Sequence, residues 1–424
     1  MRKRNKVIET AALCFVDKGY AETNLDDVAA RSGVVKQTLY NYFSNKDDLF
    51  KAAIAHLIQE NKTDFDHSWL SLEPEKFFAT LAEHQFKLLS DTKTTSFLHL
   101  LVKECRRFPE LQHIYAESIP MPFVDFVAEY IDNQHYKDYD RKSAIPSLPS
   151  PAIAWCFRAA VTGFATLNNL GVLYPHKLPS PERYFDTVSM LFSYLIKVRS
   201  EILDLPNQEP KQRSVEDFFG KGEKQMEQKQ IDCFIAAMKV FSANGYVDAS
   251  VDEIALLSKT AKQTIYTYFE SKNGLYAALS DAVIERLKHT QLPDSKLGLP
   301  EYLLSFISSF LETIEQECLG EYFRLILGEA KAFPQASGFL FLYLFCFGLP
   351  ELSNKFKDTF AVNTEEGALL ALILRNIIGG FALFNQIYVL AENPYLNQSM
   401  LSQILARLLQ ISEENREFFG IAAQ

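Results

Sequence analysis

The 424-residue chain lacks most of the sequence features that announce catalysis, export or a membrane. Its six cysteines (Cys14, Cys105, Cys156, Cys233, Cys318 and Cys346) are scattered, with no C-x-x-C pair. That predicts buried thiols in a reducing compartment, not a disulfide framework or a zinc site. Eight histidines are dispersed without metal-ligand spacing. There is no G-x-S-x-G, H-E-x-x-H, P-loop or G-x-G-x-x-G, so no enzyme and no cofactor is expected. A general excess of basic charge is also missing, since 43 Lys+Arg face 53 Asp+Glu for a net charge of −10. Any nucleic-acid contact has to be a local basic face on an acidic body. The longest greasy run, FLFLYLFCFGLP (Phe339 to Pro350), falls short of the roughly 17–25 residues of a membrane span. The N-terminal MRKRNK is followed by an apolar stretch that Glu9 interrupts, which is unlike a signal peptide. A soluble cytoplasmic protein with no membrane partner is expected.

What the chain does have is a repeat. Residues 36–43 read KQTLYNYF and residues 262–269 read KQTIYTYF, at an offset of 226. At this offset Thr23 to Phe50 aligns without a gap on Ala249 to Tyr276, with Gly19-Tyr20 matching Gly245-Tyr246 and Lys46 matching Lys272. Fainter echoes follow. ECRRFPELQ (from Glu104) resembles EAKAFPQAS (from Glu329) at an offset of 225, and FRAAVTGFATLNN (from Phe157) resembles LRNIIGGFALFNQ (from Leu374) at 217. The repeating unit is thus a whole protein of about 200 residues, the usual size of one or two domains. The polar stretch 205–226, with two prolines and two glycines, reads as a linker. The expected domains are a small module at 1–50, a body at 51–204, the linker, a second module at 227–276 and a second body at 277–424.

Each module is predicted to hold three short helices. Ile231, Phe234, Ile235, Met238 and Phe241 recur at helical spacing, and Gly19 and Gly245 suit helix stops. Asn24 and Ser250 stand where an N-cap belongs. At 100° per residue, Leu39 and Phe43 face inward while Gln37, Thr38 and Asn41 face out, flanked by Tyr40 and Tyr42 and preceded by Lys36. Two short helices with amide, hydroxyl and amine groups outward on the second form the helix-turn-helix device for reading base edges in the major groove. Tyrosine hydroxyls at the edges suit phosphates. Tyr-x-Tyr-Phe on a helix, taken alone, is more often core packing than recognition. The outward Lys-Gln-Thr, present twice, is what favours recognition.

The module resembles the DNA-binding domain of the tetracycline-repressor (TetR/AcrR) family of bacterial transcription regulators. The resemblance rests on Phe15, Gly19-Tyr20, Leu25 to Ala29, Ser32-Gly33-Val34, Lys36, Thr38-Leu39-Tyr40, Tyr42-Phe43, Lys46 and Leu49. It implies an all-α fold of two TetR-like units, each a three-helix domain plus a helical bundle for ligand binding and dimerisation. It implies DNA contacts from Lys36, Gln37, Thr38, Tyr40 and Tyr42, with Lys46 on a phosphate and the outward Asn41 alongside. The matching set in the second copy is Lys262, Gln263, Thr264, Tyr266, Tyr268 and Lys272, with Thr267 in place of Asn41. The second copy departs at Lys259, which replaces Gly33 in the turn, and at Asn273-Gly274, which replace Asp47-Asp48. The first copy also carries a basic arm, Arg2-Lys3-Arg4, suited to a phosphate backbone or a minor groove, or to no more than a solubilising tail.

In the family the last two long helices of each body form a four-helix dimer interface. Here these fall at Pro151 to Leu173 with Glu182 to Leu203, and at Glu365 to Glu392 with Asn397 to Ser412. The expected form is an intramolecular pseudo-dimer on a near-palindromic double-stranded operator, with further oligomerisation left open. The aromatic bodies suit a small hydrophobic or aromatic effector. Candidate polar anchors are His99, Glu104 and Arg158, and in the second half Glu329 and Arg375. The rival reading is a ligand-sensing or partner-binding helical protein in which one or both modules no longer bind DNA.

Overall fold

A computed structural model describes residues 2–104, 107–138, 148–170, 178–198, 218–219, 227–314, 319–330, 333–384, 395 and 397–414. Among these residues the fold is all helical, with no strand, and the helices fall into two matching sets of ten. The first unit runs α1 (Arg2–Glu22), α2 (Leu25–Ser32), α3 (Lys36–Tyr42), α4 (Lys46–Glu60), α5 (Pro74–Ser90), α6 (Thr92–Glu104), α7 (Pro109–Ser118), α8 (Pro120–Asp138), α9 (Ser150–Leu170) and α10 (Pro181–Val198). The second runs α11 (Gln228–Asp248), α12 (Val251–Leu257), α13 (Lys262–Phe269), α14 (Lys272–Lys288), α15 (Leu299–Ile314), α16 (Leu319–Gly328), α17 (Pro334–Cys346), α18 (Leu349–Phe360), α19 (Thr364–Ala382) and α20 (Gln398–Glu414). Prolines open α5, α7, α17 and α18 in their first turn, where no backbone N–H is needed. Asn363 and Glu366 close a reciprocal capping box at the start of α19.

The stretch Pro334–Phe360 holds an 18-residue window long and apolar enough to cross a membrane, yet over half of that window is buried within the protein. It is also not one helix. Gly348 takes φ 73° and splits it into α17 and α18, and a Cβ there would lie 2.7 Å from the Phe306 ring. Close packing of two core helices explains the apolar sequence.

The two units meet along a seam where α9 and α10 pack against α19 and α20, while α6 crosses α16 nearer the small modules. The seam is reciprocal. Gly163 and Gly380 match at an offset of 217, as do Ala159 and Asn376. Gly163 lies against Asn376, and Gly380 against Ala159, each so closely that an added Cβ would come within 2.8 Å. Exchange of partners between matching positions is the signature of a two-fold contact. At the second crossing Gly328 lies on the backbone of Lys103, and these too match, at an offset of 225. Asn376, wholly buried, donates from Nδ2 to the Tyr184 hydroxyl across the seam at 2.9 Å. The outer ends of the expected interface stretches (171–173, 199–203 and 385–392) lie outside the described residues.

Most of the linker 205–226 also lies outside the described residues. Phe218 and Phe219 do not, and both are buried. Phe219 packs 5.9 Å from Phe234, while Arg286 covers the Phe218 ring and donates to its carbonyl. Part of the linker is therefore docked on the second unit.

Candidate nucleic-acid interface

In each unit the first helix kinks at a glycine, Gly19 (φ 79°) or Gly245 (φ 73°), and so turns the next tyrosine into the core. Tyr20 stacks on Phe15 and meets Phe50 and Phe108 edge-on, and its hydroxyl bonds the Asp47 carboxylate. Burial, reinforced by Asp47, pushes the Tyr20 hydroxyl up to about 12. Asn24 and Ser250 cap α2 and α12 through their side chains, accepting from Asp26 N at 2.8 Å and Asp252 N at 3.2 Å.

The turn before the third helix is the same in both copies. Gly33 is left-handed (φ 73°), with Gly33 N on Ala30 O at 3.2 Å and Val34 N on Ala29 O at 3.0 Å. Lys259 is forced into the same region (φ 51°), with Lys259 N on Leu256 O at 3.3 Å and Thr260 N on Ala255 O at 3.0 Å. The replacement of Gly33 by Lys259 therefore leaves the turn unaltered. Its hydrogen bonds hold a non-glycine residue in a conformation that costs about 1–2 kcal/mol.

Leu39 and Phe43, and in the second copy Ile265 and Phe269, are buried beneath α3 and α13. Lys36, Gln37, Tyr40, Asn41 and Tyr42 are exposed, as are Lys262, Gln263, Tyr266 and Thr267; Thr38, Thr264 and Tyr268 are half-buried. Each helix thus presents a polar, aromatic-edged face of the kind predicted. Lys36 pairs with Asp26 at 2.7 Å and Lys262 with Asp252 at 2.8 Å, and these hydrogen bonds raise both ammonium pKa values. The pairs pin the first residue of each recognition helix to the helix before it. Gln37 Nε2 donates to Asn41 Oδ1 at 3.4 Å, one turn along the same face.

Three sets of these groups have partners within the protein. Lys46 and Lys272 were expected at a phosphate. Instead Lys46 Nζ donates to Ala21 O at 3.0 Å and sits over the Tyr20 ring, and burial lowers its pKa. Lys272 Nζ donates to Tyr246 O, Val247 O and Ala249 O at 2.9, 2.9 and 3.2 Å. The glycine kink leaves carbonyls unpaired at the helix end, and these lysines answer them. In the second copy the Tyr268 hydroxyl donates to Glu227 at 2.8 Å and the Thr267 hydroxyl to Gln263 O at 2.9 Å. Arg2-Lys3-Arg4 is no arm. It forms the first turn of α1, with the Arg4 guanidinium 5.0 Å over Phe43 at the end of α3. Sequence reasoning missed that placement, which brings a cation beside the first recognition helix where the second has the acid Glu227.

The connection after the recognition helix differs too. Glu270 has φ 63°, and a Cβ on Gly274 would lie 2.0 Å from Phe269 O. The tighter link explains why glycine stands where the first copy has Asp48.

The five candidate ligand anchors do not form one site. His99 is exposed on α6. Glu104 and Glu329 lie where α6 crosses α16, accepting from Tyr20 N at 3.3 Å and Lys103 Nζ at 2.9 Å, so they tie modules and units together. They border an open cleft of about 410 Å³, lined also by Arg107, Ser242, Asp248 and Arg324. Arg107 reaches across it to Asp248 of the second module. Arg158 and Arg375 are buried in the bodies, Arg158 over Phe123 and Phe384 and Arg375 over Phe306 and Phe310.

A family model described as bacterial regulatory proteins, tetR family, matches residues 7–53 and again residues 235–279. The chain is 26% identical over 140 residues to the transposon Tn10 TetC protein of Escherichia coli, which covers 32% of this chain and 68% of that protein. It is 22% identical over 202 residues to IcaR of Staphylococcus epidermidis, described as the biofilm operon icaADBC HTH-type negative transcriptional regulator, across 46% of this chain and 99% of that protein. A whole relative therefore corresponds to about half of this chain. Among solved structures, the flavonoid-responsive regulator FrrA is 21% identical with a TM-score of 0.35, covering 46% of this chain and 95% of that one.

Proposed function

From the premise that the chain is a TetR-family regulator carrying the family's DNA-binding domain twice, we propose that it is a ligand-responsive repressor acting as a covalently linked pseudo-dimer. In this reading α3 and α13 enter two half-sites of a near-palindromic operator. Lys36, Gln37, Thr38, Tyr40, Asn41 and Tyr42 read one arm, and Lys262, Gln263, Thr264, Tyr266 and Thr267 the other. Lys46, Lys272 and the Tyr268 hydroxyl first have to leave their present partners before touching DNA.

The observation that carries the reading is the reciprocal seam, Gly163 on Asn376 and Gly380 on Ala159, which relates two readers within one chain. Repression is favoured because IcaR, matched along nearly its whole length, is a negative regulator. Membership of this family also favours a soluble, cytoplasmic protein. A small effector in the bodies releases DNA if it binds the non-operator arrangement more tightly.

A second reading applies to the second module alone. Leu256 is 79% exposed and Leu257 52% where the first copy has Ala30 and Arg31, and Gln228 and Gln230 stand where the first copy has Arg2 and Arg4. These features suit a partner surface better than a phosphate backbone.

Fluorescence anisotropy of a labelled duplex against salt tests the proposal. DNA binding through phosphates gives a log–log fall in affinity with a slope near −0.9 per phosphate neutralised. Gln37→Ala with Tyr40→Ala should abolish specific binding, and the Gln263→Ala with Tyr266→Ala pair should weaken it. An affinity independent of salt contradicts DNA binding. Full affinity after the second pair favours the second reading.

A further inference from the structure

Arg375 lies in the middle of α19 and is wholly buried. Its guanidinium stands 4.4 Å from the centroid of Phe310 and 4.9 Å from that of Phe306. Those rings continue into a box, Phe310 with Tyr343 at 5.6 Å, Tyr343 with Phe347 at 5.0 Å, and Phe347 with Phe306 at 6.0 Å. A guanidinium has five N–H donors. Nη2 uses its two on Tyr343 O at 3.2 Å and Leu344 O at 2.6 Å. Nε and Nη1 have no acceptor among the described residues, which leaves the other three unanswered.

Arg158 holds the matching place in the first body, at the offset of 217. There a Tyr115 hydroxyl bonds the guanidinium. Tyr115 matches Leu340, in the register that pairs Phe108 with Phe333, so the second body has lost the hydroxyl and kept the cation. Burial pushes Arg375 down to about 10, against the weaker opposing pull of Cys346 and Tyr343. A buried cation without a counter-ion is costly, and an arginine fork is best answered by a carboxylate.

We infer that the second body binds a small organic monocarboxylate with an apolar tail, its carboxylate on Arg375 and its tail among Phe306, Phe310, Tyr343 and Phe347, and that the first body binds none. The inference rests on the reading of the bodies as effector domains and adds the ligand's class and a stoichiometry of one per chain. It also gives the ligand a route to the seam. The next residue, Asn376, carries the hydrogen bond to Tyr184 and the contact with Gly163. A shift of α19 at Arg375 moves both.

Isothermal titration of the full chain with octanoate and with octan-1-ol tests this. The expected result is one octanoate per chain and octanol weaker by roughly tenfold or more. Arg375→Met should abolish octanoate binding, and Arg158→Met should leave it unchanged. Arg375→Met removes an unpaired buried charge, so it should melt no lower than the parent. If it does melt lower, the comparison of acid with alcohol on the unaltered chain stands in its place. Equal binding of acid and alcohol, two octanoates per chain, or no saturable binding of either octanoate or benzoate overturns the inference. Duplex binding by the same preparation without acid is read separately, so failure here is distinct from failure of the DNA reading.

Discussion

Lys259 and Gly33 occupy one backbone conformation with two residue types, which allows its cost to be measured. Lys259→Gly should stabilise the second module by about 1 kcal/mol, because glycine relieves the left-handed strain and gives part of the gain back as backbone entropy. Gly33→Ala should destabilise the first module by about 1–2 kcal/mol. Denaturant titration of the full chain reads both, and equal effects of like sign would contradict the account. Glu104 offers a test by pH. Burial holds its carboxyl above the ordinary range, opposed mainly by Arg107 and the Tyr20 N–H. The folded chain therefore keeps this proton after the unfolded chain has lost it. The contribution of Glu104 to stability is fully present below the unfolded value and is lost as pH rises through the folded one. Glu104→Gln, which still accepts from Tyr20, should gain on the parent as pH rises above the ordinary glutamate range. A constant difference would mean Glu104 does not titrate differently on folding. The sequence made the outward and inward residues of α3 and α13 legible through their period. The engagement of Lys46, Lys272 and Tyr268 was not, because it depends on carbonyls bared by a kink and on an acid 41 residues away.

At the scale of elements, the ten-by-ten correspondence of helices was largely readable, because caps, prolines and apolar periods recur at offsets of 226, 225 and 217. Which helices touch was not, since α6 against α16 joins residues with no local pattern in common. The echo of Glu104 with Glu329 marked them as equivalent without showing that they face one another at a crossing. Likewise, the echo of Arg158 with Arg375 hid the difference that Tyr115 and Leu340 make to their surroundings. The glycines of the seam give this scale its prediction. Gly380→Leu forces a side chain into Ala159, already 2.8 Å from the first added carbon, and should cost about 1–3 kcal/mol. Because α9 and α19 carry the seam, the same change should weaken operator binding although neither reader is altered. Unchanged melting and unchanged duplex affinity would show that the contact does not position the readers.

For the whole molecule, the proposed pseudo-dimer would make pairing intramolecular, where a homodimer depends on concentration. Linking two binding modules makes the second binding event intramolecular, so occupancy of a two-arm operator should follow a single-site isotherm in chain concentration. The halves are free to diverge, and they have: the cation Arg4 beside one recognition helix has the acid Glu227 as its counterpart beside the other. The account therefore predicts an operator with one strong and one weaker arm, both spanned by a single chain. Selection of bound molecules from random-sequence duplex DNA, followed by sequencing, tests this most directly. Two inverted half-sites at one helical-turn spacing, with the weaker arm erased by Gln263→Ala and Tyr266→Ala, is the predicted result. A single half-site unaffected by those changes, or no enrichment even at low salt, would contradict it.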